Sequence, residues 1–235
     1  MTSVPDRRSS LHAPDSQDDG RPAPGPPVWV LGPLALLFSF LTWAAAVDGP
    51  VRRADERLAG EVRGSRLPSG AAEFLADLGN LVVAVPVLLA VVVYVSWRAR
   101  RAGLQRWWVP SLAALVAMAA VPALVVPLKE AVGRTGPPGM AGDGYYPSGH
   151  TATAAVAYGA AVLLLLPWLH SRYRRRELAI GYLVLVTAVS FGLIRRGYHW
   201  PLDVAGSWCL SAMLLLGLAM VTSPSSSSDT ARQPK

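Results

Sequence analysis

Six long apolar runs alternate with short polar stretches along the chain, at about 28–47, 74–97, 107–128, 151–169, 178–194 and 204–221. Each is separated from the next by charged, Gly-rich or Pro-rich sequence. A helix crossing ~30 Å of hydrocarbon needs about twenty residues, so each run predicts a membrane-spanning helix, the fifth being the shortest. The predicted fold is all-α, a polytopic bundle of six transmembrane helices. The first run starts late, follows a polar arm and lacks a small-residue cleavage site, which predicts a membrane helix and not a signal peptide. Residues 1–27 are rich in Pro, Ser, Asp and Arg, and residues 223–235 are rich in Ser. Neither has the apolar content that offsets chain entropy, so both read as disordered arms flanking one membrane domain at 28–222.

Composition agrees with this pattern. Hydrophobic residues make up 52% of the chain and charged ones 16%, with a mean hydropathy of +0.34, values of a membrane protein and not of a soluble domain. The formal charge of +7 points to cytoplasmic loops facing anionic lipid; a nucleic-acid partner is not expected. Basic residues gather in two short loops, at Arg98, Arg100, Arg101 and Arg106 and at Arg172, Arg174, Arg175 and Arg176, and both loops are predicted to be cytoplasmic. Six spans then place both termini inside, with Arg7, Arg8 and Arg21 in agreement. The loops 129–149 and 195–203 fall together on the outer face, as expected of a plasma-membrane protein with an outward site. The outer loop 48–73 carries Arg52, Arg53, Asp55, Glu56 and Arg57, a mixture that reads as an amphipathic interfacial cover and not as a catalytic centre. The single cysteine, Cys209, lies in an apolar run, so it offers neither an intrachain disulfide nor a zinc cluster. Neither a metal nor another cofactor is expected, and the pattern sets no oligomeric state.

Candidate chemistry collects at the mouths of these spans. Ser148 follows Pro147 and precedes an apolar run, as a helix N-cap does. Gly149 permits close backbone approach, and His150 adds a titratable group at the same helix mouth. Free N–H groups there can cradle an anion. Some fifty residues on, Pro201 marks the first turn of the last span, with Asp203 inside that turn. Asp203 can serve simply as an acid favoured at a helix N-terminus. Its four-residue spacing from His199 also lets the carboxylate fix the imidazole tautomer and stabilise an imidazolium. Lys129 and Arg134 in one outer loop, and Arg195 and Arg196 in the other, can snorkel to headgroups or bind phosphate.

Pro147-Ser148-Gly149-His150 and the later His199 with Asp203 resemble the membrane branch of the type 2 phosphatidic acid phosphatase superfamily, whose motifs run K-x6-R-P, P-S-G-H and S-R-x5-H-x3-D. The resemblance covers most of the chain from about residue 74 onward. It implies a two-step, metal-independent phosphatase in which His199 attacks phosphorus to form phosphohistidine. His150 would protonate the leaving alkoxide and later activate water, and Asp203 would orient His199. Lys129, Ser148 and Gly149 would bind phosphate, and the substrates would be membrane lipids: phosphatidate, phosphatidylglycerol phosphate or polyprenyl diphosphates. Two positions depart from the motifs. Gly136 stands where Arg precedes Pro137, and Gly192-Leu193 stands where Ser-Arg is expected. Arg134, Arg195 and Arg196 are therefore candidate substitutes for the displaced arginines. Three readings follow: a lipid phosphatase, a lipid phosphotransferase, or a catalytically weak phospholipid-binding protein. A transporter would place ionisable residues deep inside several spans, and few are seen.

Overall fold

The computed structural model describes residues 28–223, which form eight helices and, among the described residues, no strand. The arms at 1–27 and 224–235 lie outside the described residues. A 3-10 turn at Val28–Val30 leads into α1 (Leu31–Ala46), followed by α2 (Pro50–Arg63), α3 (Ser69–Asp77), α4 (Leu81–Arg101) and α5 (Val109–Val132). Then come α6 (Gly149–Leu165), α7 (Arg172–Arg195) and α8 (Pro201–Thr222). Six of these, α1 and α4 to α8, are long and apolar enough to cross a membrane.

The bundle is organised around α6. Its sequence, GHTATAAVAYGAAVLLL, is dominated by small side chains, which let neighbouring helix backbones come close where water supplies no hydrophobic drive. Most of α6 is accordingly buried, and it packs against α4, α5, α7 and α8. The outer helices turn Val93, Val116, Leu183 and Val184 outward, an apolar surface suited to lipid. Helix α1 packs on α8, and α3 packs on α7.

Three sequence expectations shift. The second span begins at Leu81 and not near residue 74, because Asn80 caps it by accepting a hydrogen bond from the Val82 N–H at 3.4 Å. Phe74 belongs instead to the separate helix α3. The fifth span is the full-length α7, whose first turn is built from arginines that hydropathy alone does not score as helix. The loop 48–73 is two helices, and α2 buries Asp55 and Ala59, four residues apart on one face.

Candidate active site

Helix α5 ends at Lys129–Val132, and Gly133 then adopts a left-handed conformation (φ 56°) with its N–H on the Lys129 carbonyl. That turn sends the chain back over the bundle end. At the start of α6, Ser148 is the N-cap: its hydroxyl oxygen accepts from the Thr151 N–H at 3.3 Å. The N–H groups of Gly149 and His150 are those a first helical turn leaves without intrahelical acceptors. Ser148 also joins α6 to α8, since its own N–H donates to the Asp203 carbonyl at 3.1 Å and its carbonyl accepts from Ser207 at 2.8 Å. Nearby, Tyr146 is buried against α8 and its hydroxyl bonds Thr42 of α1 at 2.9 Å. Burial pushes the Tyr146 phenol up to about 12, so it stays neutral.

Pro201 opens α8 and puts Asp203 in the first turn, where Oδ2 accepts from the Trp200 N–H at 3.0 Å. The same oxygen lies 3.2 Å from His199 Nδ1. His199 and Asp203 are both buried. With Nδ1 engaged by the carboxylate, Nε2 is the nitrogen left for chemistry.

A cleft of about 550 Å³ opens at this end of the bundle, lined by Lys129, Gly149, His150 and His199 together with Tyr145, Tyr198, Glu73, Asp77, Met140, Asp143 and Gly144. Lys129 Nζ donates to the Gly144 carbonyl at 2.8 Å. The Tyr145 ring meets His199 edge-on, with centroids 5.9 Å apart. A second groove of about 350 Å³, walled by Leu81, Val121, Pro122, Val125 and Val126, meets the cleft at Lys129, Gly149 and His150.

The three arginine expectations separate here. Arg134 does not line the cleft. It is buried with 2% exposure, donating from Nη1 to Asp203 Oδ1 at 2.7 Å and from Nη2 to Asp55 Oδ2. Arg195 does not line the cleft either, and its Nε has no partner. Arg196 sits at the rim, where it pairs with Glu73 and lies over the Tyr198 ring. Tyr198 also donates to Glu73, at 2.8 Å. These bonds, Tyr198 first and then Arg196, hold the Glu73 carboxyl below its ordinary range, and the bonds to Tyr198 and then Glu73 raise Arg196 above its own.

Both motif departures fall where packing is close. A Cβ at position 136 would stand 2.6 Å from the Tyr145 ring, so Tyr145 fills the room an arginine would need. A Cβ at 192 would stand 2.7 Å from the Ala72 carbonyl, because α3 lies directly on α7 at that point. Leu193 is 1% exposed and belongs to the core.

Sequence reasoning missed Asp55. It was read as part of a surface charge mixture, yet it is 6% exposed and accepts from the Leu202 N–H at 2.7 Å as well as from Arg134. Burial raises its carboxyl above the ordinary value, against the lowering effect of those two donors. The Asp55/Ala59 spacing on an amphipathic helix is the one trace of this inward face in the sequence. Glu73, Tyr145 and Tyr198 were likewise not singled out.

Six membrane-length helices define an integral membrane protein, with His199, backed by buried Asp203, and His150 and Lys129 lining one cleft at an end of the bundle. Residues 110–225, which contain Lys129, His150, His199 and Asp203, match the PAP2 superfamily. That part of the chain is a PAP2-superfamily sequence. Its structure is similar to that of a transmembrane PAP2-type phosphatidylglycerolphosphate phosphatase from Bacillus subtilis, with a TM-score of 0.69 and 23% identity over 80% of this chain and 93% of that one. No curated protein matches the sequence.

Proposed function

We propose that this protein is a membrane phosphatase that hydrolyses a lipid phosphate or polyprenyl diphosphate through a phosphohistidine on His199. The observation that carries this reading is His199, paired with the buried Asp203 at 3.2 Å and lining one cleft with His150 and Lys129. His199 Nε2 attacks phosphorus, the N–P bond forms, and the P–O bond to the lipid breaks. His150 gives its proton to the departing alkoxide. Water then attacks the phosphohistidine while His150 takes a proton from it, releasing phosphate and restoring both imidazoles. Lys129 and the N–H groups at the start of α6 face the charge that develops on the phosphoryl oxygens. None of these steps calls on a metal.

A lipid substrate is supported by the apolar groove that joins the cleft between α4 and α5, which lets a chain remain in hydrocarbon while its phosphate reaches His199. The basic loops at the opposite ends of the spans favour an outward-facing site in the plasma membrane. A second reading, a weak lipid-phosphate binder or phosphotransferase, draws on the loss of both motif arginines to packing at Gly136 and Leu193.

One assay separates the two. Protein in nanodiscs is given phosphatidate, phosphatidylglycerol phosphate and undecaprenyl diphosphate in excess chelator, and free phosphate is measured for wild type, His199→Ala and His150→Ala. Release from at least one lipid that disappears in His199→Ala is expected. Binding without His199-dependent release from any of them would replace the phosphatase reading with the binding one, and transfer to an added alcohol without free phosphate would replace it with phosphotransfer.

A further inference from the structure

Asp203 has two oxygens and two different tasks. Oδ2 receives His199 Nδ1 and the Trp200 N–H, while Oδ1 receives Arg134. A carboxylate held on one oxygen alone can rotate about its Cβ–Cγ bond; held on both, its plane is fixed. Arg134 can fix it only if the guanidinium is itself fixed, and its second arm ends on Asp55. Asp55 in turn takes the Leu202 N–H at 2.7 Å, in the same helical turn that carries Asp203. Trp200 lies between two cations, with Arg134 5.5 Å and Arg63 5.4 Å from its ring centroid, and its indole N–H donates to the Thr135 carbonyl at 3.0 Å. The chain of contacts thus runs from α2 through the α5–α6 loop into α8 and ends on the imidazole.

We infer that Asp55 and Arg134 are positioning residues for His199, acting through Asp203, so that α2 is a working part of the catalytic end and not a cover. The inference rests on the phosphohistidine reading above. Two carboxylates around one buried guanidinium leave one negative charge to face the imidazole as it becomes cationic on attacking phosphorus. The other charged or titratable groups around His199 are Glu73 and Asp77 from α3, Lys129 from α5, Asp143 and Tyr145 from the loop, His150 from α6 and the neighbouring Tyr198. All of these line the open cleft, whereas the Asp55–Arg134–Asp203 chain is buried. An asparagine at 55 keeps the shape but presents a donor or a neutral oxygen to Arg134, leaving the guanidinium poorly anchored. A lysine at 134 keeps the charge but cannot bridge two carboxylates as a planar fork does.

The test compares wild type, Asp55→Asn and Arg134→Lys in nanodiscs. For both variants kcat is expected to fall about tenfold or more with KM within about twofold, since the lost contact acts on attack and not on binding. Imidazole nitrogen NMR on isotope-labelled protein, with His199 assigned by its loss in His199→Gln, is expected to show one Nδ1–H tautomer in wild type and a mixture in the variants. This spectrum is read without turnover, so an inactive wild type would overturn the phosphatase reading while the tautomer comparison still decides the positioning role. Unchanged kcat and a single tautomer in either folded variant would overturn it. So would an activity loss that only tracks the folded fraction measured by gel filtration and thermal melting.

Discussion

Lys129 is the only lysine or arginine among the described residues lining the cleft, and its ammonium now rests on the Gly144 carbonyl. A phosphoryl group entering beside His199 would compete for that ammonium. A hydrogen bond to a charged group contributes about 1.5–3 kcal/mol, so Lys129→Ala is expected to lower kcat/KM roughly 10- to 150-fold. Arg195→Ala, by contrast, should stay within about threefold of wild type, because that side chain does not line the cleft. Steady-state kinetics on the preferred lipid checks both; a large Arg195 effect with a small Lys129 effect would reverse the assignment. At this scale the sequence was informative about type and poor about direction. Ser148, His150, His199 and Asp203 were legible because helix capping and the four-residue spacing are local rules. Arg134 was legible as a cation near the site, but its burial under Asp203 depends on partners 69 and 79 residues away, which no local pattern encodes.

Helix α3 is short, and two features tie it to the bundle: its close packing on α7 at Gly192 and the latch of Glu73 with Arg196 and Tyr198. Glu73 holds its proton less tightly in the fold than in a free chain, so the latch contributes above the ordinary carboxylate range and is lost as pH falls through the lowered value. Hydrogen exchange of residues 69–77, corrected for intrinsic rates, should therefore show protection at neutral pH that drops in the acid range below about pH 4. Glu73→Gln should show the lower protection already at neutral pH; an acid drop that survives in Glu73→Gln would assign it to another group. The six spans could be read from apolar length alone, since the bilayer thickness imposes it. Helices α2 and α3 could not, because neither is long or apolar enough to stand out and each is defined by what it packs against.

For the whole molecule, membrane orientation is the property with the widest reach. The loops 102–108 and 133–148 join opposite ends of α5, so a single-cysteine scan on a Cys209→Ser background distinguishes the sides. A cysteine at 143 is expected to react with an impermeant maleimide on intact cells, and one at 103 only after permeabilisation. The reverse pattern would put the cleft on the cytoplasmic side and restrict its substrates to lipids of the inner leaflet. The bundle geometry itself is indifferent to this choice; the loop arginines set it.

The filled spaces at 136 and 192–193 also limit which substitutions this chain accepts. An arginine reintroduced at 136 meets the Tyr145 ring, and one at 193 must leave a fully packed interior; overpacking of this kind costs about 1–3 kcal/mol before any new contact can form. Placing either arginine singly therefore gives a less stable fold unless a neighbour gives way. A chain that keeps Tyr145 and the α3–α7 contact is held by that packing to Lys129 as the one lysine or arginine of its cleft lining among the described residues.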